Sequence, residues 1–200
     1  MQEIEKATNQ ARELTLHLLT FAKGEIPTKT IANFKELVLE SVNLMLSGSN
    51  VSFCFNIPDD LFLVKIDEGQ IKQVINNLTI NAMQAMTKGG TIWVNAENIV
   101  IDQEDGDSEI GLEPGNYIKV SFKDEGIGIP ADNLSKIFDP YFTSKESGTG
   151  LGLATCYSII KNHRGLIKVE SQVGVGTKFY IFLPAIDDNA GIIQKQEEAI

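Results

Sequence analysis

The stretch DEGQIKQVINNLTINAMQAMTKGGTIWVNAENIV, residues 67–100, decides the fold class. Within it Ile71, Val74, Ile75, Leu78, Ala82 and Ala85 recur at the spacing of one helical face, Asp67 stands where an N-cap belongs, and Gly89 and Gly90 close the helix. Directly afterwards, Thr91 to Val100 is rich in β-branched and apolar residues and predicts a strand. A long helix with one apolar stripe, leading straight into a strand, needs a sheet to cover that stripe. Upstream, Phe34 to Leu46 predicts a helix ending near Gly48, and Val51 to Asn56 and Leu61 to Ile66 predict strands around the turn-forming Pro58-Asp59-Asp60. Downstream, a strand over Tyr117 to Lys123 gives way to a Gly- and Pro-containing stretch reaching Gly152. A helix to about His163 and strands over Leu166 to Glu170 and Thr177 to Leu183 then follow. Helices and strands interleave without regular alternation, which points to a two-layer α+β sandwich and away from a doubly wound sheet.

At the start of the chain Ile4, Ala7, Ala11, Leu14, Leu18 and Phe21 step by three and four residues, the spacing of a bundle seam, with Leu16 and Leu19 widening it. Gly24 and Pro27 end that helix, which either seeks a partner helix or packs on its own domain. The net charge of -10 argues against nucleic-acid binding, because neutralising phosphates takes clustered Lys and Arg. Asp102, Glu104, Asp105, Asp107 and Glu109 read as a solvated loop. Cys54 and Cys156 have neither framework spacing nor metal-ligand neighbours and are expected as reduced thiols in a cytoplasmic domain. No apolar run is long enough to span a bilayer, so direct membrane contact is not expected and any anchor is expected outside this chain.

Three elements could carry chemistry. On the long helix Gln73, Asn77 and Asn81 share a polar stripe, and Asn81 falls at the margin of the apolar face. An amide oxygen held there suits Mg2+, which takes few protein ligands beside phosphate and water, although such a stripe is ordinarily just the solvated side of a helix. Second, Asp124-Glu125-Gly126-Ile127-Gly128-Ile129-Pro130 follows a strand end. Its glycines permit close approach to a flat ligand, and a carboxylate there can accept from the exocyclic amine of adenine but not from the carbonyl edge of guanine. An acidic Gly turn joining two elements has the same composition. Third, Gly148-Thr149-Gly150-Leu151-Gly152-Leu153 runs into a helix whose free N–H groups would suit a polyphosphate, with Lys145 as an added charge. A flexible loop with a helix start explains that run equally well, and its spacing is neither a Walker loop nor a dinucleotide fingerprint. Between the second and third elements, Phe138, Pro140 and Phe142 could cover a ligand or form a small satellite cluster.

Taken in order, these elements resemble the motifs of sensor histidine kinases. Asn77-Leu-Thr-Ile-Asn81-Ala82 is similar to the N box and Asp124 to Pro130 to the G1 box. Ile137 to Lys145 is similar to the F box, and Gly148 to Leu153 to the G2 box. The resemblance runs from about residue 28 to Pro184 and takes in the turn Gly174-Val175-Gly176-Thr177. It implies a Bergerat-type sandwich, a mixed sheet of about five strands on three helices, with a lid from Ile129 to Thr149. ATP and Mg2+ are the implied ligands, with Mg2+ on Asn81 and adenine on Asp124. The implied nucleotide-site residues further include Asn77, Gly126, Gly128, Ile129, Phe138, Lys145, the run from Gly148 to Leu153, and Thr177. Where many relatives carry Lys-Tyr after the N box, Gln84 and Ala85 stand here, so a phosphate-contacting lysine on this helix is not expected.

The resemblance divides the chain into one helix of a dimerisation hairpin (1–24), a catalytic ATP-binding domain (25–185) and a tail (186–200). It implies a homodimer through the first helix and a response-regulator receiver domain as partner. Related ATPases carry a water-activating glutamate at the place of Asn77; an amide cannot act as that base, which favours transfer to a side chain over hydrolysis. Of the two histidines, His17 is followed by Leu18 and Leu19 on what resembles the second hairpin helix, and His163 is expected to cap or pack. The acceptor histidine is therefore expected outside this chain. A protein-serine kinase of the same superfamily and a non-catalytic nucleotide-sensing scaffold remain the alternatives.

Overall fold

The computed structural model describes residues 27–43, 50–102, 111–145 and 148–186. The Ile4 to Phe21 seam, His17, the helix end near Gly48, most of the acidic loop and the tail beyond Ile186 lie outside the described residues. In chain order the elements are β1 (Thr30–Ala32), α1 (Phe34–Asn43), β2 (Val51–Asn56), β3 (Val64–Ile66), α2 (Glu68–Ala85), β4 (Gly90–Ile101) and β5 (Gly115–Lys123). The short α3 (Ala131–Leu134), α4 (Gly152–Asn162), β6 (Leu166–Gln172) and β7 (Gly176–Pro184) complete them. The main sheet has the order β2-β4-β5-β7-β6. β2 runs parallel to β4 and the other neighbours are antiparallel, with Val94 opposite Phe122 and Val120 opposite Ile181. This is the mixed five-stranded α+β arrangement expected from the sequence.

One face of the sheet is apolar at every second residue: Ile92, Val94 and Ala96 on β4, Ile118, Val120 and Phe122 on β5, and Phe179, Ile181 and Leu183 on β7. Against it lie Leu37 and Val38 of α1, Ile71, Val74, Ile75 and Leu78 of α2, and Ile159 and Ile160 of α4. Each such side chain contributes about 1.5–3 kcal/mol by leaving water, so this single layer of contacts holds the sandwich. On the opposite face Ile101, Leu112, Tyr117 and Phe182 form a small buried apolar cluster.

Two expectations are corrected. Val51–Asn56 and Leu61–Ile66 do not flank a turn as a hairpin. β2 pairs with β4, whereas β3 is only Val64–Ile66 and pairs with β1, a strand too short to be legible in the sequence. The reason lies in Asn98: its Oδ1 accepts from the Phe62 N–H at 2.8 Å and its Nδ2 donates to the Asp60 carbonyl at 2.9 Å, so a side chain satisfies this segment in place of a ladder.

The ends of α2 and α4 meet at one imidazole. Asp67 caps α2, its Oδ1 accepting from the Gln70 N–H at 3.0 Å. The Asp67 N–H donates to His163 Nε2 at 3.0 Å, and His163 Nδ1 lies 2.8 Å from the Ile159 carbonyl, to which it donates as the neutral tautomer. The incoming chain is tied to the same place by Thr28 N–H to Asp67 Oδ2 (3.1 Å) and Lys29 Nζ to the Asn162 carbonyl (2.9 Å). His163 is therefore a buried cap, with both ring nitrogens engaged.

Burial pushes the His163 imidazole below its ordinary 6.5. The unfolded chain thus binds that proton more readily, and the stability His163 contributes is complete above about pH 6.5 and falls as pH drops toward the folded value. His163→Gln is expected to lose roughly 1–3 kcal/mol of folding stability at pH 7.5, measured by urea denaturation, and visibly less at pH 5.5. A penalty independent of pH would contradict the neutral buried cap.

Candidate functional site

Asp124 leaves the end of β5 and is only 4% exposed. Its backbone N–H donates to the Thr177 carbonyl at 2.9 Å. Its Oδ1 accepts from the Gly126 N–H at 2.8 Å and the Thr177 N–H at 3.2 Å. Burial pushes this carboxyl above the usual carboxylate range, while the two N–H donors and the Lys145 charge oppose that rise. The result is an oriented, largely desolvated acceptor, the type of group that discriminates between amine and carbonyl edges.

The loop after Asp124 is fixed by contacts that only glycine allows. A Cβ on Gly126 would lie 2.5 Å from the Ala85 Cβ, and the Ile127 N–H donates to the Ala85 carbonyl at 3.2 Å. Ala85 thereby lets the loop rest on the end of α2, a role the sequence did not disclose. Gly128 has φ 72°, and Gly174 N–H donates to the Ile127 carbonyl at 2.9 Å. Ile129 N–H donates to Ser171 Oγ at 2.8 Å, and Ser171 Oγ lies 2.9 Å from Thr177 Oγ1. Ile129 and Thr177 are thus scaffold for the loop, joined through Ser171, which sequence reading missed. At Gly176 a Cβ would lie 2.1 Å from the Asp124 carbonyl oxygen, so the turn before β7 shapes the Asp124 position directly.

On α2 the polar stripe is half-buried, as expected, and two of its members are occupied. Asn77 Nδ2 donates to the Gly152 carbonyl at 3.2 Å, tying α2 to the start of α4. Asn81 Oδ1 accepts from Lys145 Nζ at 3.0 Å, and Gln84 Oε1 accepts from the same ammonium at 2.6 Å. Partial burial lowers the Lys145 pKa, and the Asp124 carboxylate counteracts this. The amide oxygens of Asn81 and Gln84 therefore already hold a cation. Among the described residues no group of three or more His, Cys, Asp or Glu could enclose a metal ion. A single amide oxygen such as that of Asn81 is a donor that suits Mg2+, which keeps most of its shell as water and phosphate oxygens.

α4 begins at Gly152 after Leu151, whose side chain supplies no capping oxygen to the first-turn N–H groups. Leu151 is buried and Leu153 packs on the core, leaving their backbones alone for any ligand. Gly150 (φ 69°) accepts through its carbonyl from Tyr141 N–H at 3.0 Å, and Gly148 N–H donates to the Lys145 carbonyl at 3.2 Å. Thr149 lies between them, half-buried. Phe138 packs on Tyr157 of α4, with ring centroids 5.7 Å apart, so its aromatic face is spent on the fold. Cys156 is buried in α4, its thiol pushed up to about 12 by burial, and is therefore neutral and inert.

Asp124, the cation-holding amides of α2, Lys145 and the open start of α4 thus converge, in an architecture built on the same order of elements throughout residues 66–187. Those residues match the family described as histidine kinase-, DNA gyrase B-, and HSP90-like ATPase. The chain belongs to that family. Within it the similar proteins are sensor kinases. Sensor kinase CckA of Brucella abortus (strain 2308) is 36% identical over 99% of this chain. Sensor histidine kinase ZraS of Escherichia coli (strain K12) is 33% identical over 92% of it. The chain spans 22% of CckA and 37% of ZraS. The solved catalytic domain of histidine kinase ThkA is 32% identical and superposes with a TM-score of 0.64, covering 78% of this chain and 95% of that domain. ThkA has also been solved in complex with response regulator protein TrrA, with 27% identity and a TM-score of 0.69 over 93% of this chain and 51% of that one. The chain is thus an ATP-binding catalytic domain of the sensor histidine kinase kind.

Proposed function

We propose that this domain binds Mg·ATP and passes its γ-phosphoryl group to a histidine on a dimerisation helix outside this chain, feeding a response-regulator receiver domain. The observation that carries the reading is Asp124, a buried carboxylate fixed by Gly126 and Thr177 N–H groups and within the electrostatic reach of Lys145. In this reading Asp124 selects adenine, the glycines of 126 and 128 admit the flat base, and Lys145 with the first turn of α4 holds phosphates. Asn81 would hold Mg2+, which when bound neutralises charge on the phosphate oxygens. The stripe offers no base for water: Asn77 is an amide and is engaged with Gly152. His163, buried with both nitrogens bonded, is unsuited to be the acceptor.

Residues 1–24 are assigned to a dimerisation hairpin, 25–185 to the catalytic domain and 186–200 to a tail. Among the described residues no helix is long and apolar enough to cross a membrane. The test is calorimetric titration with Mg·ATP and Mg·GTP, followed by incubation with radiolabelled ATP and a separate histidine-bearing dimerisation segment. ATP is expected to bind at least about tenfold more tightly than GTP, and acid-labile label is expected on the added segment with little free phosphate. Equal binding of both nucleotides, or label released chiefly as inorganic phosphate, would count against the proposal.

A further inference from the structure

The ammonium of Lys145 sits on the same oxygen, Asn81 Oδ1, that the proposed reading gives to the metal. Its second acceptor, Gln84 Oε1, is the shorter of the two contacts at 2.6 Å and lies one helical turn along α2 from Asn81. Asp124 adds a carboxylate whose charge favours the ammonium from across the site. Lys145 is thus held on α2 by two amide oxygens, with the Asp124 charge favouring the ammonium from outside that helix. One amide oxygen cannot serve an ammonium and a divalent cation at once, because the two positive charges would lie within a few ångströms of each other.

We infer that Gln84 sets the nucleotide affinity of this site by holding Lys145 on the metal-binding oxygen of Asn81 while the site is empty. The inference rests on the reading of Asn81 as the metal holder. Binding then has two parts: Lys145 leaves Asn81 and Gln84, and its charge is taken up by the polyphosphate. The first part lowers the apparent affinity by the fraction of molecules in which the lysine is held. Gln84 has no role of its own toward the nucleotide; it acts through Lys145, as a positioning residue for the empty state.

This separates two substitutions that a simple phosphate-contact view would treat alike. Gln84→Ala is expected to tighten Mg·ADP binding, by about threefold to tenfold, since the held state is depopulated while Lys145 remains to meet phosphate. Gln84→Glu is expected to weaken it, because a carboxylate holds the ammonium more strongly than an amide does. Both are measured by calorimetry at fixed Mg2+, with AMP as a control that lacks the β-phosphate. Unchanged or weaker binding in Gln84→Ala would overturn the inference.

A second measurement needs no nucleotide. Trace acetylation followed by mass spectrometry compares the reactivity of Lys145 with that of Lys88, which is likewise exposed but has no such hold, in the same molecule. The ratio of Lys145 to Lys88 labelling is expected to rise severalfold from wild type to Gln84→Ala. An equal ratio in both proteins would overturn the inference even if nucleotide bound well. Conversely, a folded wild type that binds no nucleotide would sink the proposed function, while the labelling ratio would still decide whether Gln84 holds Lys145.

Discussion

Asp124→Asn is expected to lower ATP affinity by 100-fold or more, about 3 kcal/mol, while leaving the melting temperature unchanged or raising it. The amide oxygen can still accept from the Gly126 and Thr177 N–H groups, so the loop keeps its anchors. Its nitrogen, however, presents a donor to the donor edge of adenine and leaves both unpaired. Stability moves the other way for an electrostatic reason. The folded-state pKa of Asp124 lies above its ordinary 3.8, so the folded protein binds this proton more readily than the unfolded chain. The charged carboxylate therefore opposes folding at neutral pH, and that penalty is relieved as pH falls through the folded value toward 3.8. Removing the charge removes the penalty. Titration calorimetry and a thermal melt on the same preparation give both numbers, and retention of ATP binding within about threefold of wild type would take adenine recognition away from Asp124.

The second large effect separates two glycines of similar conformation. Gly128 has φ 72° and its added Cβ would lie 2.1 Å from the Gln172 carbonyl oxygen; Gly150 has φ 69° and its Cβ would lie 2.3 Å from the Tyr141 carbonyl carbon. In Gly128→Ala the clash is with the β6 strand end, which is held in register with β7 through Gln172 and Gly176. That backbone cannot retreat cheaply, and a loss on the order of 2–4 kcal/mol of stability is expected. In Gly150→Ala the clash is again with backbone, that of Tyr141, whose N–H donates to the Gly150 carbonyl at 3.0 Å, but Tyr141 lies in a turn outside the sheet, so the loop can yield by parting that hydrogen bond. Stability should fall by about 1–3 kcal/mol, the left-handed penalty plus the parted Tyr141–Gly150 hydrogen bond, whereas phosphate binding at the start of α4 should be largely lost as the 141–150 pinch opens. Denaturant unfolding and nucleotide titration of both variants test this; equal stability losses would mean that the Tyr141 contact is as rigid as the sheet.

Much of this was legible in the residues. The period of Ile71 to Ala82 fixed α2 and its buried face, and Asp67 was identifiable as a cap from type and place alone. What local pattern could not show was anything mediated by a side chain over distance. Asn98 takes the place of a strand ladder for Asp60 and Phe62, so the strand expected from Leu61 begins only at Val64. Ser171 ties Ile129 to Thr177, and Ala85 supports Gly126, through contacts between segments far apart in the chain. At the site, Asn81, Asp124, Lys145 and the Gly148 to Leu153 run could be picked out as candidates from their types and order. The state of those residues was not: that Lys145 rests on Gln84, and that Asn77 is spent on Gly152, follow from geometry alone.

The one tryptophan of the chain offers a practical handle on all of this. Trp93 on β4 stands opposite Lys123 on β5, whose ammonium lies 5.1 Å from the indole ring centre, and Asp124 is the next residue. Indole emission responds to nearby charge, so movement at this strand end would be written into the intrinsic fluorescence of the unlabelled protein. A stopped-flow trace of that emission would then time the arrival and departure of nucleotide without a dye, a tag or a coupled assay.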